Sequence, residues 1–259
     1  MAEPSARLEG VPNFRDLGGA ATADGRRVRA RRLYRSGSLH EMTDADRIIL
    51  EDLGIRTVID LRCEWERLQH PYRWPGVACV TAPLVDDRVV IDMMDRFKTG
   101  SVSSEELEDW WHLSRVFQAP EEQVASIRLI FDTLLQDRDD AVLIHCRGGK
   151  DRTGMVAAFL LDALGVRWDQ VMADFLRSNE AVQNDRVKRE IAAMLARAVT
   201  GPVTPEAVAS LSGVRGEWLG TLFARVAERF GSVTRYLTEH IGIGQPGIAR
   251  LRDSFLEPA

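Results

Sequence analysis

Cysteine is scarce in this sequence of 259 residues, which contains only Cys63, Cys79 and Cys146. An odd number of cysteines without the spacing of a disulfide framework argues against a small disulfide-stabilised secreted fold and favours a reducing compartment. The N-terminal residues lack the apolar run of a signal peptide, and no stretch approaches the ~20 apolar residues that span a bilayer. We therefore expect a cytoplasmic protein without a transmembrane segment. Export without a cleavable signal is left open as the alternative.

The sequence also lacks an excess of basic residues, because it has 34 lysine and arginine residues and 39 aspartate and glutamate residues. The net charge of -5 and the pI near 5.6 argue against a nucleic-acid-binding protein, for which a basic domain is expected. Repeats and low-complexity tracts are absent from the sequence. With 45% hydrophobic and 28% charged residues, the composition is that of an ordinary globular protein with one sizeable core.

The most informative stretch covers residues 141–154. It begins with a short apolar run that predicts a buried strand, and the apolar periodicity of residues 153–164 predicts a helix. Between them lies a turn that carries Cys146 and two glycines, whose conformational freedom lets backbone N–H groups converge on one point. Such a nest at a helix N-terminus is an anion-binding site.

Two side chains make this turn chemically reactive. The planar guanidinium of Arg152 can hold two phosphate oxygens at once. The same positive field should favour the thiolate of Cys146, because a free thiol with a pKa of ~8.5 falls to ~3.5 to 7.5 beside cations or at a helix N-terminus. A nucleophile and a receptor for a dianion therefore share one loop, which predicts phosphoryl transfer to sulfur and hydrolysis of a phosphocysteine.

The sequence His-Cys-Arg-Gly-Gly-Lys-Asp-Arg-Thr-Gly at residues 145–154 resembles the signature loop of the cysteine-dependent protein tyrosine and dual-specificity phosphatases. Its second half is similar to that of an atypical bacterial branch of this superfamily, as are residues 13–19 and 175–179. The resemblance implies a phosphomonoester hydrolase for phosphotyrosine proteins, with phosphoserine, phosphothreonine and phosphoinositide substrates open. The alternatives are a phosphate-binding module without turnover and a sulfurtransferase.

The candidate phosphate-binding residues follow the nucleophile directly and are Arg147, Gly148, Gly149, Lys150, Asp151, Arg152 and Thr153. Their backbone N–H groups and the guanidinium would hold the equatorial oxygens of the phosphate. The hydroxyl of Thr153 can donate to the sulfur and ease its departure in the second step. Lys150 adds a point charge suited to multiply phosphorylated headgroups, as in the signature loops of phosphoinositide phosphatases, which this one resembles. Its alternative role is that of a solvated lysine that neutralises Asp151.

The reaction also needs a general acid for the leaving oxygen. Asp151 is the first candidate because it lies within the loop, although the basic residues beside it favour its ionised form. Asp60, at the end of a predicted strand, is the second candidate, with an ion pair that braces the loop as its alternative. Asp86 and Asp87 are the last candidates. They follow the predicted strand over residues 77–84, and phosphatases of the superfamily that this sequence resembles usually take their general acid from a loop after such a strand.

Three further residues have predicted supporting roles. His145 precedes the nucleophile and should orient the loop, and it lacks the companions of a metal ligand, so we expect neither metal nor cofactor. Arg62 shares the end of its strand with Asp60. Arg15 is a candidate for substrate contact, with a structural ion pair as the alternative.

Alternating strand and helix patterns predict an α/β fold with a central, mostly parallel sheet of about four to five strands flanked by helices. The predicted strands cover residues 32–36, 57–62, 77–84 and 141–144. Thr43 and Asp46 form a capping box that predicts the start of the first helix. Further predicted helices cover residues 121–138, 153–164, 171–176, 181–198, 218–230, 233–240 and 248–255.

We expect a single phosphatase domain over residues 1–259. Its parts would be N-terminal strands and a helix (1–84), a helical lid insertion (85–120), a catalytic core (121–166) and a helical C-terminal extension (167–259). The resemblance implies the lid, and the irregular apolar pattern there also fits a simple core helix. After residue 165 the sequence predicts helices only.

Overall fold

The fold is organised around a five-stranded sheet. The computed structural model describes residues 8–103, 120–136, 139–182, 189, 192, 193, 195–197, 199, 200 and 202–258. Its strands are β1 (Arg15–Asp16), β2 (Arg27–Val28), β3 (Leu33–Ser36), β4 (Ile55–Asp60), β5 (Ala78–Thr81), β6 (Val102–Ser103), β7 (Ala141–His145), β8 (Val199–Thr200) and β9 (Leu256–Glu257). The central sheet has the order β1-β3-β7-β4-β5, and only β1 pairs antiparallel. The predicted α/β architecture with a mostly parallel sheet is confirmed.

The middle of this sheet is β7, all five residues of which are buried. Four of them are apolar, as expected of a strand that has a neighbour on each side and a layer on each face. The register places both Ser36 of β3 and Asp60 of β4 opposite His145. The carboxyl ends of three parallel strands therefore meet at one edge of the sheet, and the turn that carries Cys146 begins there.

Helices cover both faces of the sheet. They are α1 (Asp44–Asp52), α2 (Glu64–Gln69), α3 (Asp87–Thr99), α4 (Pro120–Leu134), α5 (Asp151–Ala163), α6 (Trp168–Leu176), α7 (Pro205–Ser212), α8 (Gly216–Phe230), α9 (Val233–Arg235) and α10 (Gly244–Phe255), with a 3-10 turn at Arg177–Val182 and a π-helical turn at Tyr236–His240. The larger apolar cluster packs α4, α5, α8 and α10 against one face, and a smaller cluster packs α1 against the other.

The start of α1 is the capping box that the sequence predicts. The N–H of Asp46 donates to Thr43 Oγ1 at 3.1 Å, and the N–H of Thr43 donates to Asp46 Oδ2 at 3.0 Å. The same carboxylate accepts the N–H groups of Glu9 and Gly10, each at 2.8 Å. The prediction is confirmed, and the box also ties the N-terminal segment to the helix.

Two small sheets were not predicted. β2 pairs antiparallel with β9, and β6 pairs parallel with β8. The prediction that only helices follow residue 165 is therefore wrong at β8 and β9. Strands of two residues are too short to show an apolar period, and their pairing partners are distant in sequence.

The predicted lid is described only in part. Its first half forms α3, which leads into β6. The apolar residues predicted to continue it, Trp110, Trp111, Val116 and Phe117, lie outside the described residues, as does most of the predicted helix over 181–198. Within the described ranges, no helix is both long and apolar enough to cross a membrane.

Candidate active site

The turn between β7 and α5 surrounds the thiol of Cys146, which is buried. The backbone N–H of Gly149 donates to Cys146 Sγ at 3.3 Å. Gly149 has a φ of 67°, and a Cβ atom at this position would lie 2.4 Å from the backbone nitrogen of Gly37. Only glycine fits here, so the bond between the amide and the sulfur depends on it.

The carbonyl groups of the turn are held on its outer side. Arg35 Nη2 donates to Gly149 O at 2.8 Å and to Lys150 O at 3.4 Å, and Asn13 Nδ2 donates to Gly149 O at 2.8 Å. In a trans peptide the C=O and the following N–H point in opposite directions. The N–H groups of Lys150 and Asp151 therefore face away from Arg35 and into the turn, as an anion cradle requires.

Arg35 belongs to a buried ion-pair triad with Asp174 and Arg15. Asp174 Oδ2 lies 2.5 Å from Arg35 Nη1, and its Oδ1 lies 2.6 Å from Arg15 Nε. Burial would raise the pKa of Asp174, but the attraction of the two arginines lowers it. Burial, together with the charge of Arg35, lowers the pKa of Arg15 to about 10. Asn13 and Ser178 accept further hydrogen bonds from Arg15, so its guanidinium is engaged by three residues.

Arg152 is fixed by Glu66, a residue of α2. Its Nη1 and Nη2 donate to the two carboxylate oxygens of Glu66 at 2.5 Å and 2.7 Å. Burial disfavours the charged form of Arg152, but the attraction of Glu66 is larger than this effect and raises the pKa of the guanidinium. Burial likewise opposes ionisation of Glu66, and Arg152 overcomes it and lowers the pKa of that carboxyl to about 2. The two side chains therefore form a charged, bidentate pair.

Asp60 and Arg62 form a second buried pair at the same edge. Arg62 Nε donates to both oxygens of Asp60 at 3.0 Å and 3.1 Å, and its Nη1 donates to His70 O at 2.8 Å. Burial would raise the pKa of Asp60, but the hydrogen bonds and the positive charge of Arg62 hold it below its ordinary value. A general acid must carry a proton, so this arrangement favours the bracing ion pair over the catalytic role.

His145 connects the loop to Tyr72. Its Nδ1 lies 3.2 Å from Cys146 O, and its Nε2 lies 3.1 Å from Tyr72 Oη. Burial lowers the pKa of His145 to about 4, so the ring is neutral at neutral pH. A neutral ring that donates from Nδ1 to the carbonyl accepts the tyrosine hydroxyl at Nε2. This tautomer anchors the backbone at the nucleophile.

Lys150 lies against the C-terminal part of the chain, with Asp151 beside it. Lys150 Nζ donates to Gly213 O at 2.9 Å and lies 3.4 Å from Asp151 Oδ2. The lysine is buried, which differs from the solvated alternative in the sequence analysis. Among the described residues, nothing hydrogen-bonds Asp151 Oδ1 or the hydroxyl of Thr153, and both atoms are buried.

The last two aspartates have structural partners. Asp86 pairs with Arg88 at 3.1 Å on the surface, and Asp87 Oδ1 accepts the N–H of Trp65 at 2.7 Å. Across the described part of the chain, no group of three or more His, Cys, Asp or Glu side chains is placed to hold a metal ion.

Four residues of the site were not predicted from the sequence: Glu66, Arg35, Asp174 and Tyr72. One signal was available for Glu66, because α2 follows β4 directly at the edge where the turn lies. Arg35 also carried a signal, since a charged residue inside a buried strand needs a partner. Asp174 and Tyr72 carried no such signal, because their positions in the sequence do not place them at that edge.

The site combines a thiol at the carboxyl end of a central parallel strand, a glycine-containing turn and an arginine oriented by a buried carboxylate. These are features expected of a cysteine-containing phosphate-binding site. The model of the tyrosine phosphatase family matches residues 6–257. The chain belongs to this family, and the match supports a protein phosphatase activity.

The sequences of two phosphatases agree with this assignment. The chain is 34% identical over 278 residues to the triple specificity protein phosphatase PtpB of Mycobacterium tuberculosis, covering 96% of this chain and 98% of that protein. It is 25% identical over 226 residues to a tyrosine-protein phosphatase of Nostoc commune, covering 84% and 72%. The crystal structure of P. aeruginosa TpbA matches 80% of this chain and 96% of its own at 16% identity, with a TM-score of 0.32.

Proposed function

We propose that the protein hydrolyses phosphorylated proteins through a phosphocysteine on Cys146. The observation that carries this proposal is the hydrogen bond from the Gly149 amide to the sulfur, in a turn where the amides of Lys150 and Asp151 face away from Arg35. The thiolate is the nucleophilic form of cysteine, and the N–H of Gly149 is placed to donate to its sulfur. We place phosphotyrosine first and phosphoserine and phosphothreonine second, and the similarity to a triple specificity protein phosphatase supports this breadth.

In the first step the sulfur of Cys146 attacks phosphorus in line with the leaving oxygen. The amides of residues 147–152 and the guanidinium of Arg152 hold the equatorial oxygens. Glu66 fixes the plane of that guanidinium before the substrate arrives. The leaving oxygen takes up a proton, which yields the free hydroxyl and the phosphocysteine. Water then attacks phosphorus, the sulfur leaves as thiolate, and inorganic phosphate is released.

We propose Asp151 as the group that protonates the leaving oxygen and later activates the water. Its buried Oδ1 has no hydrogen-bond partner within the described residues and is therefore available to a substrate oxygen. The competing candidate, Asp60, has both oxygens engaged by Arg62. The hydroxyl of Thr153, likewise unsatisfied in the described part of the chain, is the proposed donor to the departing sulfur.

A phosphoinositide is the second proposed substrate class. The sequence made Lys150 a candidate for a second phosphate, with a solvated lysine as its alternative. In the structure its ammonium group donates to Gly213 O and lies beside Asp151. To bind the ammonium group of Lys150, a headgroup would have to replace its contacts with Gly213 O and Asp151. The loss of these contacts disfavours phosphoinositide binding, so we rank phosphoproteins before lipids as substrates.

The test compares wild type with Cys146→Ser and with Cys79→Ser as the matched control at an exposed cysteine. Each is assayed on an aryl phosphate, phosphotyrosine and phosphoserine peptides and a phosphoinositide, and for sulfur transfer from thiosulfate to cyanide. We expect phosphatase activity that Cys146→Ser abolishes and Cys79→Ser retains. A wild type that only binds phosphate, or transfers only sulfur, would overturn the proposal.

A further inference from the structure

Two histidines and an arginine lie together at the exposed side of the signature loop. His40 Nε2 lies 3.4 Å from Arg147 Nη1, and the rings of His40 and His70 meet edge to face at 4.8 Å. The N–H of Ser38 donates to Arg147 O at 3.1 Å, so the backbone around His40 is tied to the loop. His40, His70 and Arg147 are called the rim cluster below.

The rim cluster has unused hydrogen-bonding capacity. Since arginine only donates, His40 Nε2 accepts from Arg147, and its Nδ1 donates to Ser38 Oγ at 3.1 Å. The resting form of His40 is therefore neutral. The ring nitrogens of His70 have no hydrogen-bond partner among the described residues, and Arg147 is exposed.

The charged groups around the two rings are mostly positive. His40 faces Arg147, Arg62 and the carboxylate of Glu41, whose Oε1 lies 3.7 Å from its Nε2. His70 faces Arg147, Arg62, His40 and Glu66. Burial, with Arg147 second, lowers the pKa of both histidines.

These charges have unequal access to a ligand. Arg62 and Glu66 are buried and hydrogen-bonded to other side chains, so neither is exposed to a ligand at the rim. What remains at the surface is Arg147, two titratable rings and Glu41, which is 73% exposed. An incoming anion would meet one permanent positive charge and two groups that can each gain another.

We propose that the rim cluster binds an acidic side chain flanking the phosphorylated residue of a protein substrate, and that this binding strengthens as the histidines become protonated. The inference rests on the proposed phosphoprotein activity and adds a source of selectivity to it. It also assigns recognition of a second negative charge to the rim rather than to Lys150, whose ammonium is buried against Gly213.

Spacing favours a peptide as the source of that acid. Arg147 adjoins the nucleophile in sequence and contacts His40 with its tip, so the rim cluster lies one arginine side chain from the cradle. An extended peptide advances about 3.3–3.6 Å per residue. A side chain one or two positions from the phosphorylated residue can therefore reach the rim while the phosphate occupies the cradle.

The experiment uses two phosphotyrosine peptides that differ only by glutamate or glutamine at a flanking position. Their kcat/KM values are measured between about pH 5.5 and pH 8, the range in which histidine titrates and glutamate stays ionised. Both peptides carry the same phosphotyrosine, so most of the effect of its titration cancels in the ratio. We expect the glutamate peptide to be favoured by about two- to fivefold at the acid end, the size of an exposed ion pair, and less at the alkaline end.

Variants separate the rim cluster from a general effect of charge. His40→Gln and His70→Gln should lower the ratio and flatten its pH dependence, through KM rather than kcat, because the acid is bound equally in the ground and transition states. Glu41→Gln removes the competing carboxylate and should raise the ratio. Competitive inhibition by inorganic phosphate reports that the cradle of each variant is intact.

Three outcomes would count against the inference. A wild type that hydrolyses both peptides with the same kcat/KM at every pH would overturn it while leaving the proposed function standing. A ratio unchanged in both histidine variants would also overturn it. Hydrolysis of neither peptide would instead overturn the proposed function, on which the inference depends.

Discussion

Replacing Glu66 with glutamine should destabilise the fold and release the arginine of the loop. Glu66 is 6% exposed and accepts hydrogen bonds from Arg152 at 2.5 Å and 2.7 Å. Glutamine keeps the size but loses the charge, and it turns an N–H donor toward the guanidinium. Removing one partner of a buried ion pair typically costs about 3–5 kcal/mol, because the remaining charge is buried without compensation.

The pKa of Glu66 gives a second measure of this cost. Arg152 holds it at about 2, against an ordinary value of 4.5. By linkage, a depression of this size contributes about 3 kcal/mol to the free energy of unfolding at neutral pH. A lowered pKa stabilises the fold above the unfolded-state value, and the contribution disappears as pH falls from about 4.5 toward 2. The difference between wild type and Glu66→Gln should therefore be complete at neutral pH and shrink in acid.

Urea unfolding at neutral pH and at about pH 3 measures this difference. Glu64→Gln, an exposed position on the same helix, is the matched control and should unfold like wild type. The kcat/KM of Glu66→Gln for an aryl phosphate should fall about 10- to 100-fold, since hydrogen bonds to charged groups are worth about 1.5–3 kcal/mol. Equal losses of stability in Glu66→Gln and Glu64→Gln would refute the reasoning. So would a urea midpoint and a kcat/KM of Glu66→Gln that match those of wild type.

Three other substitutions test the supports of the loop. Gly149→Ala should abolish competitive binding of phosphate, because its Cβ would meet Gly37, whereas Gly76→Ala, also at positive φ but in open space, should retain it. Asp174→Asn should lower the free energy of unfolding by about 3–5 kcal/mol in urea, because it leaves two buried arginines without their carboxylate. Tyr72→Phe should cost about 1–3 kcal/mol in the same assay, because His145 Nε2 loses its donor. Equal phosphate binding by the two glycine variants, or wild-type unfolding of either of the others, would contradict these assignments.

The loop and the start of α1 were predictable because their determinants are local. Thr43 and Asp46 cap each other across three residues, and the nucleophile turn is one continuous segment. The partners of the loop are remote by contrast. Glu66 is 86 residues from Arg152, and Asp174 is 139 residues from Arg35. Nothing local in the sequence specifies which carboxylate meets which arginine.

Burial is what the sequence could not show for the residues whose roles were left open. A charged residue at the edge of a sheet occupies the same position in the sequence pattern of strands and turns whether it contacts a ligand or forms an ion pair. Arg15 is 3% exposed and Asp60 is 1% exposed, each with a charged partner at hydrogen-bonding distance. The burial of Lys150 could not be foreseen either, because the carbonyl that it meets belongs to Gly213, in a distant connection between two helices.

The measurement that tests the central claim most directly is acid quenching of Asp151→Asn during turnover of an aryl phosphate, followed by peptide mass spectrometry. If Asp151 activates the water, the variant should hydrolyse the intermediate slowly and accumulate it. The account predicts one added phosphoryl group on the peptide that contains Cys146, and none in the same peptide of a Cys146→Ser variant. A phosphoryl group on any other residue, or continued turnover with Cys146 always unmodified, would contradict it.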